Sequence, residues 1–286
     1  SGTYANGFPL TNNATSAATN GSYVVIKPGT HTLKIRYWVK EIATGTEGTI
    51  TKTLASATYD QNKYYNITAD LNVRDYDGTK YYMWDAQQNY WAGHEWNSAN
   101  PWQPVLNSNS NSNYPQSNTD SRWYHESGPT FRFDATQSAA IAPNVNEMAW
   151  YVQKGDIRWD EDELWTTMGH LYKGGLWLKK KAYISGFNVN KAPNNLDRRT
   201  TQYYTVTQNP STILPSASEV SQFFYLPALG DYHDGRLEYV GLCVAYWSSS
   251  SRPFPVPWAY YLWGNKSTIY VQLDYRYKGY RVQAFE

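Results

Sequence analysis

The sequence predicts an α+β protein in two parts. Residues 1–73 read as an N-terminal antiparallel β-sandwich, or part of one. Residues 74–286 read as a larger domain with few helices, irregular loops and a β-rich tail. Three observations carry this. Period-two alternation of apolar and polar residues dominates both ends of the chain. Helical spacing with capping signals is confined to the middle. Between the first strands and the first helix lies a stretch rich in Trp, Asn and Ser with neither period.

The elements follow in chain order. Residues 33–39 (LKIRYWV) alternate as a half-buried strand does. Thr49 to Leu54 is a second, Thr-rich strand, and residues 27–30 and 45–48 are turn signals. Tyr65, Ile67, Ala69 and Leu71 alternate with Asn66, Thr68 and Asp70, giving a third. Residues 75–125 hold Trp84, Trp91, Trp96, Trp102 and Trp123 in an irregular context. Within them the run 107–113 (NSNSNSN) is a polar surface loop. Asn144 and Glu147 fit a capping box ahead of Met148, Tyr151 and Val152. The clearest helix spans Asp160 to Tyr172, with Leu164, Trp165, Met168, Leu171 and Tyr172 on one face. Asp160, Glu161, Asp162 and Glu163 crowd its start, and Gly174 and Gly175 stop it. Ser216 and Glu219 form another capping box before Val220, Phe223 and Phe224. The tail is β again. Val271 and Leu273 alternate with Tyr270, Gln272 and Asp274, and Arg281, Gln283 and Phe285 with their neighbours. Three Pro make 252–258 (RPFPVPW) an exposed loop or edge.

Composition narrows the function. Lys and Arg number 25 against 24 Asp and Glu, a net charge of +1 that gives no basic stripe for nucleic acid. Aromatic residues are 17% of the chain, which excludes intrinsic disorder. No apolar run is long enough to span a membrane. The single Cys243 excludes a disulfide framework and a Cys-based zinc site. His31, His94, His125, His170 and His233 form no metal-spacing pair, and there is no Gly-x-Ser-x-Gly elbow. His170 reads as a boundary residue of its helix, and the acidic run 160–163 as helix-start charge rather than a calcium cluster. No enzyme activity, cofactor or metal is expected.

Aromatic chemistry in the tail points instead to binding. Tyr275 and Tyr277 flank Arg276, and Tyr270 lies on the polar register of its strand. Exposed Tyr and Trp offer rigid contact area with a polar handle.

Several blocks also carry a family resemblance. They are 146–151 (NEMAWY), 164–171 (LWTTMGHL), 214–219 (LPSASE), 224–230 (FYLPALG), 234–237 (DGRL), 246–249 (YWSS) and 279–282 (GYRV). In this order, over residues 144–286, they resemble the C-terminal domain of surface proteins of the Bacteroides group. That domain has a C-type-lectin-like fold shared with formylglycine-generating enzymes. Residues 64–71 (YYNITADL) resemble the closing strand of fimbrillin-family pilin domains. The resemblance implies a cell-surface, extracellular ligand-binding protein at a fimbrial tip, binding a protein or glycan, with other pilus subunits as further partners. The alternative it leaves open is a structural pilus subunit without its own ligand. The paired Cys of the formylglycine-generating relatives and the Glu-Pro-Asn or Gln-Pro-Asp calcium triplets of animal lectins are both missing.

In some members of that group a diversity-generating retroelement randomises adenines in the gene's 3′ end. The resemblance then implies a fixed scaffold at Trp247, Ser248, Ser249, Ala259, Val271, Arg276, Gly279 and Val282. Ligand-facing positions would be Arg252, Phe254, Val256, Trp258, Tyr261, Trp263, Tyr270, Gln272, Asp274, Tyr275 and Tyr277. Trp258 and Trp263 depart from the pattern, because mutating the adenines of an Asn codon does not produce Trp.

Overall fold

A computed structural model describes residues 21–68, 71–201, 203–252 and 256–286. The chain divides into two units, residues 1–38 with 49–71 and residues 39–48 with 72–286.

In the first unit, β1 (Gly29–His31) pairs antiparallel with β4 (Ala57–Tyr59). Thr30 and Thr58 share a hydroxyl hydrogen bond of 3.0 Å across the pair. β2 (Lys34–Lys40) and β3 (Glu47–Thr53) form a second two-stranded sheet whose residues Val39, Lys40, Glu47 and Gly48 belong to the second unit, and both strands alternate between exposed and half-buried residues. These are the first two strands read from the sequence. The third is a correction, since the described residues of 64–71 form no strand. Tyr65 instead folds back on Tyr59, edge to face at 5.0 Å, and its hydroxyl accepts from Asp60 N at 2.9 Å. A local turn thus outcompetes the alternation. Tyr59 is the one buried residue among those described in this unit, so they show two sheets but no closed sandwich core.

The second unit holds two larger sheets. The seven-stranded one runs β10 (Val206–Gln208), β16 (Ile269–Tyr275), β15 (Trp258–Gly264), β14 (Val244–Ser251), β17 (Tyr280–Arg281), β6 (Tyr81–Tyr82). β7 (Phe133–Asp134) also pairs with β14. The four-stranded sheet runs β11 (Phe223–Pro227), β9 (His170–Lys179), β8 (Arg158–Thr167), β5 (Arg74–Tyr76). A short hairpin, β12 (Asp231–His233) with β13 (Arg236–Glu238), lies between them in sequence. The architecture is therefore β-rich, with one α-helix among the described residues, α1 (Val145–Lys154).

That helix forms where the capping box predicts it. The Asn144 side chain accepts from Asn146 N and Glu147 N, and Glu147 returns a bond to Asn144 N at 2.9 Å. Val145, Met148, Ala149, Tyr151 and Val152 share one buried cluster with Tyr246, Tyr260, Leu262, Ile269 and Val271 of the large sheet.

The helix expected from Asp160 to Tyr172 is instead a hairpin of β8 and β9, with Trp165 opposite Tyr172 and Thr167 opposite His170. Met168 and Gly169 have φ of 50° and 77°, so the link is a two-residue turn of the primed kind that suits strand twist. A two-residue turn brings Trp165 and Tyr172 side by side, stacked at 5.4 Å, which mimics helical spacing in the sequence. The acidic run is a bulge rather than a helix start. Asp160 Oδ1 accepts from Asp162 N and Glu163 N at 2.9 and 3.0 Å, and the register shifts between Asp160 and Leu164. His170 meets Glu41 at 2.6 Å, as a satisfied boundary residue does.

The second capping box is also corrected. Glu219 accepts from Ser216 N at 3.0 Å, but only a 3₁₀ turn (Val220–Gln222) follows. The chain then enters β11, whose five residues are all buried against β9. Burial of Phe223 and Phe224 in the sheet overrides the local helix signal.

Candidate functional site

Strands β14, β15 and β16 frame the candidate site. Their register sets Trp263 opposite Tyr270, Tyr261 opposite Gln272, Ala259 opposite Asp274 and Trp258 opposite Tyr275. Alternation then sorts the side chains. Tyr260, Leu262, Ile269 and Val271 face the core beneath α1. Ala259, Tyr261, Trp263, Tyr270, Gln272 and Asp274 leave from the opposite face.

That opposite face is largely covered. Trp84, Phe133, Ala245, Trp247, Tyr261, Tyr280 and Val282 build a second buried cluster on it. Tyr261 is only 3% exposed, stacked on Tyr280 at 4.9 Å and edge-on to Tyr270 at 6.1 Å. Gln272 Nε2 donates to the Tyr261 hydroxyl at 3.2 Å, and Tyr280 donates to Asp274 Oδ2 at 2.5 Å. Burial pushes the Tyr261, Tyr270 and Tyr280 phenols up, so they stay protonated. Trp263 stacks on Tyr270 at 5.0 Å, and both pack on the edge of this cluster, half-buried.

Arg276 pins the strand ends. It is 1% exposed, between the Trp84 and Phe133 rings at 4.9 Å from each. It donates to the Trp258, His125 and Arg252 carbonyls and to Ser251 Oγ, at 2.7 to 3.2 Å. Burial pulls its guanidinium down to about 10. Asp85 anchors the covering loop in the same way. Fully buried, it accepts from Thr136 N, Gln137 N, Ala139 N and His125 Nδ1 at 2.7 to 3.2 Å.

Because Arg276 points inward, its neighbours point out. Tyr275 is 41% exposed and stacks on half-buried Tyr277 at 5.1 Å, 24° from parallel. Trp258 meets Tyr275 edge to face at 5.9 Å, and the Arg252 guanidinium lies 5.1 Å from the centre of the Trp258 ring. Arg252, Trp258, Tyr275 and Tyr277 thus form a continuous ladder of cation–π, edge and stacking contacts. Arg252 N donates to Trp258 O at 2.9 Å.

The eleven positions read from the sequence therefore separate. Arg252, Trp258, Tyr275 and Tyr277 come together as the ladder. Trp263, Tyr270, Gln272 and Asp274 gather on the opposite strand register. Tyr261 is a buried platform beneath Tyr270 rather than a surface residue. Val256 is half-buried at the loop's return, and Phe254 lies outside the described residues. Sequence reading missed Tyr280, Trp84 and Phe133 as the cover of one face. Their only signal was aromatic density without period.

Other chemistry is sparse. Among the described residues no group of three or more His, Cys, Asp or Glu could hold a metal ion. Burial, with Asp231 nearby, pushes the Cys243 thiol up to about 12, which leaves it a poor nucleophile. No helix among the described residues is long and apolar enough to cross a membrane. No protein-family model, curated protein or solved structure matches the chain.

Proposed function

We propose that this chain is a cell-surface ligand-binding protein, a fimbrial tip adhesin in character, that recognises a protein or glycan through aromatic side chains of its tail. The observation that carries the reading is the Arg252–Trp258–Tyr275–Tyr277 ladder. Tyr, Trp and Arg are the residue types that dominate binding energetics. Here they stand on strand ends fixed by a buried arginine, so little conformational entropy is lost when a partner docks. The family resemblance of residues 144–286 supports the surface location, and a diversified tail fits side chains that make few obligatory contacts.

The mechanism is recognition without chemistry. Stacking on Trp258 and Tyr275, with hydrogen bonds from the Tyr277 hydroxyl and the Arg252 guanidinium, grips the partner. The test is an array of surface proteins and glycans probed with the native chain and with a Tyr275→Ala/Tyr277→Ala variant. The expected outcome is a ligand held by the native chain and lost by the variant, with the melting temperature lowered by no more than a few degrees because Tyr277 also packs against the core. Equal binding by both rejects the ladder as the site.

The gene itself offers a second check. A near-copy of its 3′ end beside a reverse transcriptase, differing mainly at adenines, would mark the tail as diversified. A fixed tail would mean one dedicated partner.

A further inference from the structure

We propose a second binding site, built from the loops around residues 112–126 rather than from the tail, that takes an uncharged oligosaccharide. A groove of about 660 Å³ there is walled by Trp102, Tyr114, Gln116, Thr119, Asp120 and Arg122. A second hollow of about 370 Å³, with Trp123, Tyr124 and His125 in its wall, shares the ridge Thr119, Asp120 and Ser121. None of the residues lining either hollow belongs to the tail from Val244 onward. Both hollows are shallow and open to solvent, and their volumes fall in the roughly 300–1,000 Å³ range of small-molecule sites.

The lining selects the ligand class. Arg122 is the only Lys or Arg among the residues lining the two hollows, and its charge is already spent. Its guanidinium holds both carboxylate oxygens of Asp120 at 2.7 to 3.2 Å and the Asn113 and Tyr90 carbonyls at 3.3 and 3.4 Å. A phosphate, sulfate or carboxylate would find no free cation. Glu126, at the far wall, accepts from Trp123 Nε1 and Asn118 Nδ2 at 2.8 and 3.1 Å and adds negative charge that an anion would meet. Gln116 Nε2 donates to Ser112 O at 3.0 Å, Ser117 and Thr119 share a hydroxyl bond of 2.8 Å, and Ser121 donates to Gln88 at 2.9 Å. An apolar ligand would desolvate the protons and lone pairs these bonds leave over, which is costly. A sugar ring suits both halves of the lining. Its C–H face stacks on a half-buried aromatic, and its hydroxyls both donate to and accept from carboxamides and hydroxyls.

The chain entering the first groove is fixed before any ligand arrives, and Arg122 ties its wall to the Asn113 and Tyr90 carbonyls. The Asn-Ser run that reads as a polar surface loop is laced to the β12–β13 hairpin. Ser108 N donates to Leu237 O at 2.8 Å, Leu237 N to Asn109 O at 3.0 Å, and Asn111 N to Gly235 O at 3.0 Å. Asn107 pairs with Val240 through both ends of its carboxamide, each at 2.9 Å. Such preorganisation lowers the entropy lost on binding. Two aromatic hollows astride one ridge also imply more than one sugar ring per site.

The experiment uses the full chain and five uncharged series: gluco-oligosaccharides of α and β linkage, manno-, galacto- and chito-oligosaccharides, each from one to six units. Saturation-transfer NMR finds binding and calorimetry measures it, with sialyllactose and a heparin hexasaccharide as charged comparators. At least one uncharged series should bind, with the hexamer roughly tenfold or more tighter than its monomer. Gln116→Ala/Thr119→Ala removes two exposed polar groups without touching the core and should weaken binding by about tenfold or more. Trp102→Ala should abolish it. Tyr275→Ala/Tyr277→Ala should leave it unchanged, which separates this site from the ladder. The proposal is overturned if no uncharged series binds, if only the charged sugars bind, or if the Gln116/Thr119 variant binds as the native chain does.

Discussion

The two ends of the β15–β16 strand pair carry the same kinds of residue and do opposite things. At one end Tyr261, Tyr270 and Trp263 lie on or beside a second core built with Trp247, Tyr280, Trp84 and Phe133. At the other, Trp258, Tyr275 and Tyr277 stack on one another at the surface. Aromatic content does not separate them. The difference is which face of the sheet each side chain leaves from, since Trp84 and Phe133 flank Arg276 at the ladder's own end. The loop carrying Trp84 and Phe133 covers one face, and alternation turns Tyr275 and Tyr277 away from that cover while Arg276 enters it.

The sharpest way to break this comparison is at Arg276. Arg276→Ala would leave four oxygens, one of them fully buried, without their donor and empty the space between two rings. The expected loss is at least about 3 kcal/mol in urea unfolding, with the ladder losing its footing as well. A loss below about 1 kcal/mol would mean that the strand ends hold without the pin.

Tyr261→Ala comes next. Truncating a buried ring stacked on Tyr280 should cost about 3 kcal/mol. Tyr261→Phe keeps the ring and removes only the hydroxyl that bonds Gln272, costing about 1 kcal/mol. If both cost the same, stacking is not what holds this end.

Asp231 sharpens the buried side electrostatically. Burial pushes its carboxyl up to about 7, Glu238 and Asp274 add to the rise, and Lys278 opposes it. The folded value lies above the unfolded value of about 3.9. The associated stability is therefore fully present below about pH 4 and is lost as pH rises through about 7. Asp231→Asn should remove this dependence, leaving the variant more stable than the native chain at pH 8 and closer to it at pH 4. Parallel denaturation curves across that window would contradict the assignment.

The smallest stability effect belongs to the ladder. Tyr275→Ala should move unfolding by less than about 1 kcal/mol, as exposed positions do. Tyr270→Ala should cost more, because Tyr270 packs against Trp263 and the second cluster.

How much of this was legible in the sequence depended on whether local and tertiary signals agreed. The Asn144–Glu147 box reads correctly because its bonds lie within four residues. The hairpin from Arg158 to Lys179 does not, because a two-residue turn sets Trp165 beside Tyr172 at a spacing a helix also uses. Gly169 after Met168 was the available clue, a turn pair with positive φ. In the tail, period two correctly places Val271 inward and Tyr270 outward, yet it cannot show that Trp84 and Phe133, more than a hundred residues upstream, cover that outward face. Alternation alone therefore groups Tyr261 with the surface, where the fold buries it.

The central claim is that the exposed ladder, and not the covered aromatic end, grips the partner. It is tested most directly by probing one array of surface proteins and glycans with three proteins: the native chain, Tyr275→Ala/Tyr277→Ala and Trp263→Ala. The account predicts ligands that the native chain and Trp263→Ala both hold and that the double variant loses by tenfold or more. Ligands held equally by the double variant, or lost only in Trp263→Ala, would contradict it.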